Sequence, residues 1–350
     1  MKLHRVPQLG LALLIALVGC TRAPERTDTT TSPPAQSETV LRRAGEVLMF
    51  TGAFGEAPGD LVAVTPGTGE DRVLVEDLAD VHTARWSADG RWVAFEMAGS
   101  LWVVDRTLEP RQLFDTSEWG WVLWTWSSTG ARLAVIRDST LSVVDPSTRQ
   151  TTRVASTIGD VTSVPAWSPD GTRMVFGARG GSVYSVDVRT GEQSRVVQLP
   201  GGNLDSIDGI TWSPDGSRIA IYNDLDPGHG RLFVLNADGS DIRVLADDVF
   251  VFGFDWSPDG SRIAFTEDHG AELHVFVAPA DGSTRSLVAS PRNNGVARNP
   301  IWSPDGSKIA LGDENVLLVE GAPNLVIDAD GSGDAVPLDD LTYESWRGGL

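Results

Sequence analysis

The chain has 350 residues, of which 41% are hydrophobic and 22% charged, with 37 glycines, 20 prolines, 12 tryptophans and one cysteine. This is the composition of a folded protein with room for one large domain or two ordinary ones, and its many turn formers favour an all-β design over a helical one. The net charge of -20 weighs against nucleic acid or anionic headgroups as direct partners, and a single cysteine excludes an intrachain disulfide or a cysteine-rich metal centre.

The chain opens with a short basic start, Lys2 and Arg5, followed by an apolar run from Leu9 to Val18. That run is too short to cross a bilayer comfortably and reads as the core of a signal peptide spanning residues 1–19. Its end, Leu17-Val18-Gly19-Cys20, resembles the lipobox of bacterial lipoproteins. The resemblance implies lipidation of the Cys20 sulfur, cleavage just before it, and attachment to the membrane through the lipid on Cys20. Residues 20–45 follow as a tether, rich in Thr, Pro and Ser between Thr21 and Thr39 and too poor in large apolar groups to fold.

From residue 46 to 350 a repeat governs the sequence. RWSADGRWVAF, TWSSTGARLAV, AWSPDGTRMVF, TWSPDGSRIAI, DWSPDGSRIAF and IWSPDGSKIAL carry Trp86, Trp126, Trp167, Trp212, Trp256 and Trp302, at intervals of 40, 41, 45, 44 and 46. A further 44 residues bring Trp346. In each copy an apolar strand leads to the tryptophan, Ser-Pro-Asp-Gly makes a tight turn, and an alternating run returns. A third strand such as Leu101 to Asp105 and a fourth such as Ile242 to Ala246 complete the unit, with a polar turn between them. Four antiparallel strands recurring at this period are a propeller blade.

The WSPDG pattern resembles the WD-like repeats of the TolB propeller, and the likeness runs from Val47 to Trp346. Two copies depart from it, with Ala88 in place of Pro and with Ser128 and Thr129 in place of Pro-Asp, so looser hairpins are expected there. Three strand-like runs precede Trp86, matching the second to fourth strands of a blade. The expected fold is therefore a seven-bladed propeller closed by pairing of the C-terminal strand around Trp346 with Val47 to Thr51; six blades, as in TolB, is the alternative.

The repeat tryptophans read as packing between blades, and Asp170, Asp215, Asp259 and Asp305 as turn formers. Binding is expected on the face that carries the second-to-third loops and the crossings between blades, because these vary. The candidates there are Trp119 and Trp121 in a crossing, Asp224, Asp226, His229, Asp268 and His269 on two neighbouring loops, and Arg292 and Arg298 in another crossing. The five Asp and His residues could gather a cation, yet solvated loops are the simpler reading, so no metal and no cofactor is expected. No nucleophile elbow, phosphate loop or zinc-protease helix motif occurs in the sequence. The expectation is a monomeric, lipid-anchored envelope module, not an enzyme, that binds one or more envelope proteins and no nucleic acid. A propeller enzyme or metal-dependent lactonase-like hydrolase, and a carbohydrate or small-ligand sensor, remain the alternatives.

Overall fold

The computed structural model describes residues 41–42, 47–50, 59–65, 70–78, 81–115, 123–130, 132–157, 160–200, 206–226, 229–291, 299–303, 305–312, 325–333 and 336–337. Among them are 27 strands and no helix, arranged as seven antiparallel sheets in chain order. Blade 1 is the three-stranded sheet Val47–Phe50, Gly59–Thr65 and Glu70–Leu78. Blade 2 begins at Val81–Trp86, blade 3 at Leu123–Trp126, blade 4 at Ala166–Trp167, blade 5 at Ser206–Trp212, blade 6 at Val251–Trp256 and blade 7 at Asn299–Trp302, each with four strands. The fold is thus an all-β propeller of seven sheets. The strand at Trp346 lies outside the described residues, as do Cys20, Trp119, Trp121, Arg292 and Arg298.

Each junction between consecutive blades from 1 to 7 is one apolar cluster, and each contains the repeat tryptophan of the later blade. The cause is the period of two along a strand, which sends alternate residues to opposite faces of a blade. In the second strand of blade 6, Ile263 and Phe265 face blade 5 while Ala264 faces blade 7. Phe95, Phe176, Phe233 and Phe265 are fully buried in this way, and each contributes roughly 1.5–3 kcal/mol of burial. Leu41 is also buried, in the first of these clusters, 45 residues before Trp86 where the repeat would place a tryptophan.

The repeated turn shows why its residues recur. After Trp212, the backbone N–H of Gly216 donates to the Ser213 carbonyl at 2.9 Å, and Gly216 takes φ +71°, a conformation that favours glycine. The Ser213 hydroxyl donates to Asp215 Oδ1 at 2.6 Å and accepts the Arg218 N–H at 2.9 Å, while Ser217 N–H donates to the same carboxylate at 3.0 Å. Ser87, Ser168, Ser257 and Ser303 make the same bond to Asp89, Asp170, Asp259 and Asp305. The Ala88 copy therefore keeps the whole network, since proline only presets φ and supplies none of its bonds. The copy at Ser127 is the looser one: without an aspartate two residues on, the Ser127 hydroxyl turns to the Gly130 carbonyl at 3.0 Å.

The polar run Asp328-Ala329-Asp330-Gly331 forms another turn. Gly331 N–H donates to the Asp328 carbonyl at 2.9 Å, and the Asp328 carboxylate pairs with Lys308 Nζ at 2.6 Å.

Candidate functional site

In an up-and-down blade the first-to-second and third-to-fourth turns share one end of the sheet, and the second-to-third loops and the blade crossings share the other. The first strands border a cavity of about 860 Å³, within the size range of small-ligand sites. The residue just before the repeat tryptophan lines it in five consecutive blades: Arg85, Thr125, Ala166, Thr211 and Asp255. Two of these are tied into the wall. The Arg85 guanidinium stands 6.0 Å from the Trp124 ring centre, and Asp255 Oδ2 accepts the Trp302 backbone N–H at 3.0 Å.

At the crossing end the first strands of blades 2, 5 and 6 carry the same irregularity. Their register slips between Val81 and Thr83, between Ile207 and Gly209, and between Val251 and Gly253, leaving His82, Asp208 and Phe252 as the extra residues, each four before its tryptophan. A bulge redirects its extra side chain, and here Asp208 and Phe252 line the cavity. Glycine after the bulge makes room: a Cβ on Gly209 would stand 2.7 Å from Phe254, and one on Gly253 would overlap Asn299.

Asp224 and Tyr222, from the second strand of blade 5, and Phe250, in the crossing from blade 5 to blade 6, complete this end. Tyr222 packs edge-on against Phe250 at 6.4 Å, and Phe250 against Phe252 at 4.9 Å. The Tyr222 hydroxyl donates to the Val249 carbonyl at 3.3 Å. Burial, with the added charges of Asp224 and Asp208, pushes its acidity down to a pKa of about 12 against the opposing backbone contact at Val251, so it stays a neutral donor.

Of the five residues that the sequence places on two loops, Asp226 and His229 are cross-strand partners at the end of the second and third strands of blade 5. The strands of blade 5 run on to Asp226 and start again at His229, so Asp224 sits within a ladder, paired with Ser206 and Gly230, and not on a loop. His229 Nδ1 lies 2.8 Å from Asp248, and Asp268 accepts the Gly270 N–H at 2.7 Å. His269 Nε2 lies 3.1 Å from Glu267 and its ring stacks on His274 at 3.8 Å. Among the described residues no three His, Cys, Asp or Glu side chains are placed to hold a metal ion.

The repeat tryptophans do have a visible task. The indole N–H of Trp126, Trp212 and Trp302 donates to the carbonyl of Arg85, Ala166 and Asp255, the residue before the tryptophan of the preceding blade, at 3.0, 3.2 and 3.1 Å. Arg132 and Arg262 lie over the rings of Trp167 and Trp302 of the next blade, at 5.4 and 4.6 Å. The cavity residues Arg85, Asp208, Tyr222, Phe250, Phe252 and Asp255 were not marked by any motif. One signal was in plain view: the position before each tryptophan runs through Arg, Thr, Ala, Thr, Asp and Ile while the Trp-Ser that follows it repeats.

A seven-sheet propeller with a lined central cavity is the class of protein that fold and site define. No family model matches the chain. Among solved structures it is similar to an oligogalacturonate lyase from Vibrio parahaemolyticus, with 17% identity over 82% of this chain and 86% of the other and a TM-score of 0.57. It is also similar to the hydrazine synthase of Kuenenia stuttgartiensis, with 18% identity over 80% and 79% and a TM-score of 0.50. TolB from Acinetobacter baumannii aligns at 15% identity over 82% and 78%, with a TM-score of 0.46. At these identities the likeness is one of fold.

Proposed function

We propose that this chain is a lipid-anchored protein of the bacterial cell envelope, with a leader at 1–19, a tether at 20–45 and a propeller that binds a protein partner at its crossing face. One observation carries the binding half: the turn serines and aspartates, with Trp126, Trp212 and Trp302, are engaged in turn and blade-to-blade bonds, whereas the cavity rim at the crossing end is built from residues that do not repeat, Asp208, Asp224, Phe250 and Phe252. The anchoring half rests on the leader and on Cys20 as the sole cysteine.

Both halves are testable in one strain. Metabolic labelling with an alkyne fatty acid marks the wild-type chain, and Cys20→Ser loses the label and leaves the membrane fraction. A photo-crosslinking residue at position 252 yields a discrete adduct that one at Ser261, on the turn end, does not. Label on the Cys20→Ser chain, or equal adducts from both positions, overturns the corresponding half.

A second reading follows the lyase neighbours, whose name states an acidic sugar as substrate. It is supported by the shared fold alone, and the cavity charge opposes it, with Asp208, Asp224 and Asp255 against the single guanidinium of Arg85 among the described lining residues. Release of unsaturated product from oligogalacturonate by the purified chain would establish it.

A further inference from the structure

We propose that the crossing end of the cavity receives an organic cation, an ammonium or guanidinium group held between the carboxylates of Asp208 and Asp224 and the rings of Phe250 and Phe252. This rests on the reading of the chain as a binding module and names the chemistry that the module recognises.

Geometry carries the proposal. Asp208 is an extra residue in its strand, and Phe252 is the extra residue at the same place in the next blade. Two bulges in register, each four residues before a tryptophan, turn one carboxylate and one aromatic ring into the same cavity. A ladder position carries no such extra residue, and each bulge interrupts pairing that the rest of the strand keeps. Asp224 adds a second carboxylate from the neighbouring strand. Tyr222, Phe250 and Phe252 follow one another with successive rings near perpendicular, at 81° and 79°, so a ring face always adjoins an edge. Ring faces and carboxylates share one kind of guest, since both are electron-rich and both attract a cation.

Competing guests fit less well. An anionic sugar meets three carboxylates and one guanidinium that already lies against Trp124. A bare divalent ion wants several oxygen or nitrogen ligands at short range, and the described residues hold no such group of three. The volume of about 860 Å³ admits more than one side chain, enough for a basic residue with its neighbours or for a free polyamine.

The test uses the full chain and its own fluorescence, because Trp126 and Trp167 line the same cavity. Capped tetralysine peptide, spermidine, trigalacturonate and calcium are titrated separately. Saturable binding of tetralysine or spermidine is expected, weakened about tenfold or more by Asp208→Asn with Asp224→Asn, since two charge-assisted contacts are lost. Phe252→Leu keeps both charges and weakens binding by a smaller factor, and Asp241→Asn, at an exposed aspartate paired with Arg243, leaves it unchanged. Tighter binding of tetralysine identifies a partner's side chain as the source; tighter binding of spermidine identifies a free amine. Circular dichroism of each variant reports its folding. Equal affinity in the folded double variant, preference for trigalacturonate or calcium, or no saturable cation binding overturns the proposal. None of these outcomes touches the lipid label or the crosslink, so the two readings fail separately.

Discussion

Trp302 and Asp255 are bonded twice across the junction between blades 6 and 7. The Trp302 indole donates to the Asp255 carbonyl at 3.1 Å, and the Trp302 backbone N–H donates to Asp255 Oδ2 at 3.0 Å. The side chain thus acts as a filler and as a strut, and substitutions separate the two. Trp302→Phe keeps one aromatic ring and loses the hydrogen bond with part of the packing, a cost of about 1–2 kcal/mol, whereas Trp302→Ala empties the pocket and costs about 3–5 kcal/mol. Asp255→Ala removes a bond made by a charged acceptor and costs about 2 kcal/mol. Urea unfolding followed by circular dichroism gives all three, and a Phe variant as damaging as the Ala variant would refute the division.

Ser257 is fully buried and joins both sides of its turn, donating to Asp259 at 2.6 Å and accepting the Arg262 N–H at 2.9 Å. Ser257→Ala leaves that N–H without its acceptor in a buried place, at a cost of about 1–3 kcal/mol. Ser261→Ala, one position past the turn glycine, removes exposed hydroxyl bonds to the same carboxylate and is expected to cost less. Thermal unfolding of the pair checks the order.

The blades were legible because one short motif contains everything a hairpin needs, from its glycine at positive φ to its serine and aspartate. The same regularity hid the cavity. Asp208 and Phe252 enter it through bulges, and a bulge arises from the pairing of two strands, which no single segment announces. Asp224 looked like a loop residue because Asn, Asp, Pro and Gly crowd around it, yet Gly230 is there to make room for the Tyr222 ring, whose Cε2 would lie 2.7 Å from an added Cβ. Glu267 was hidden for the same reason. A polar run reads as solvated until the sheet is seen to carry it inward.

The turn aspartates set an acid limit. Asp259 and Asp305 are held at a pKa of about 2, first by the hydroxyls of Ser257 and Ser303, then by the N–H and hydroxyl groups of Ser261 and Ser307. Asp170 and Asp215 are lowered for the same reasons, led by the Ser168 and Ser213 hydroxyls. An aspartate in the unfolded chain titrates near about 4, so the folded state binds fewer protons between these values. The stabilisation is complete above about pH 4 and drains away as pH falls through the folded value near 2. Melting temperature is expected to decline over that window, and a variant with Asn at all four positions declines less steeply. Identical slopes would remove the turns as the cause.

Glu267 places its carboxylate in the sheet with only 1% of the side chain exposed, bonded to Arg285 Nη1 and to His269. Arg285 reaches it by lying over Phe276, 4.2 Å from the ring centre, and Phe265, so its stem and plane are packed while the side chain keeps some contact with water. A buried charge that loses its partner is far more costly than a pair that is never made. Arg285→Leu therefore destabilises by about 3 kcal/mol, at the low end for such a loss because water can approach from the exposed side of the guanidinium. Replacing both residues, Glu267→Leu with Arg285→Leu, restores most of that, since no charge is left in the sheet and His269 can turn to solvent. A double variant less stable than Arg285→Leu alone would show that the pair contributes to the packing of blades 5 and 6 beyond balancing its own charges.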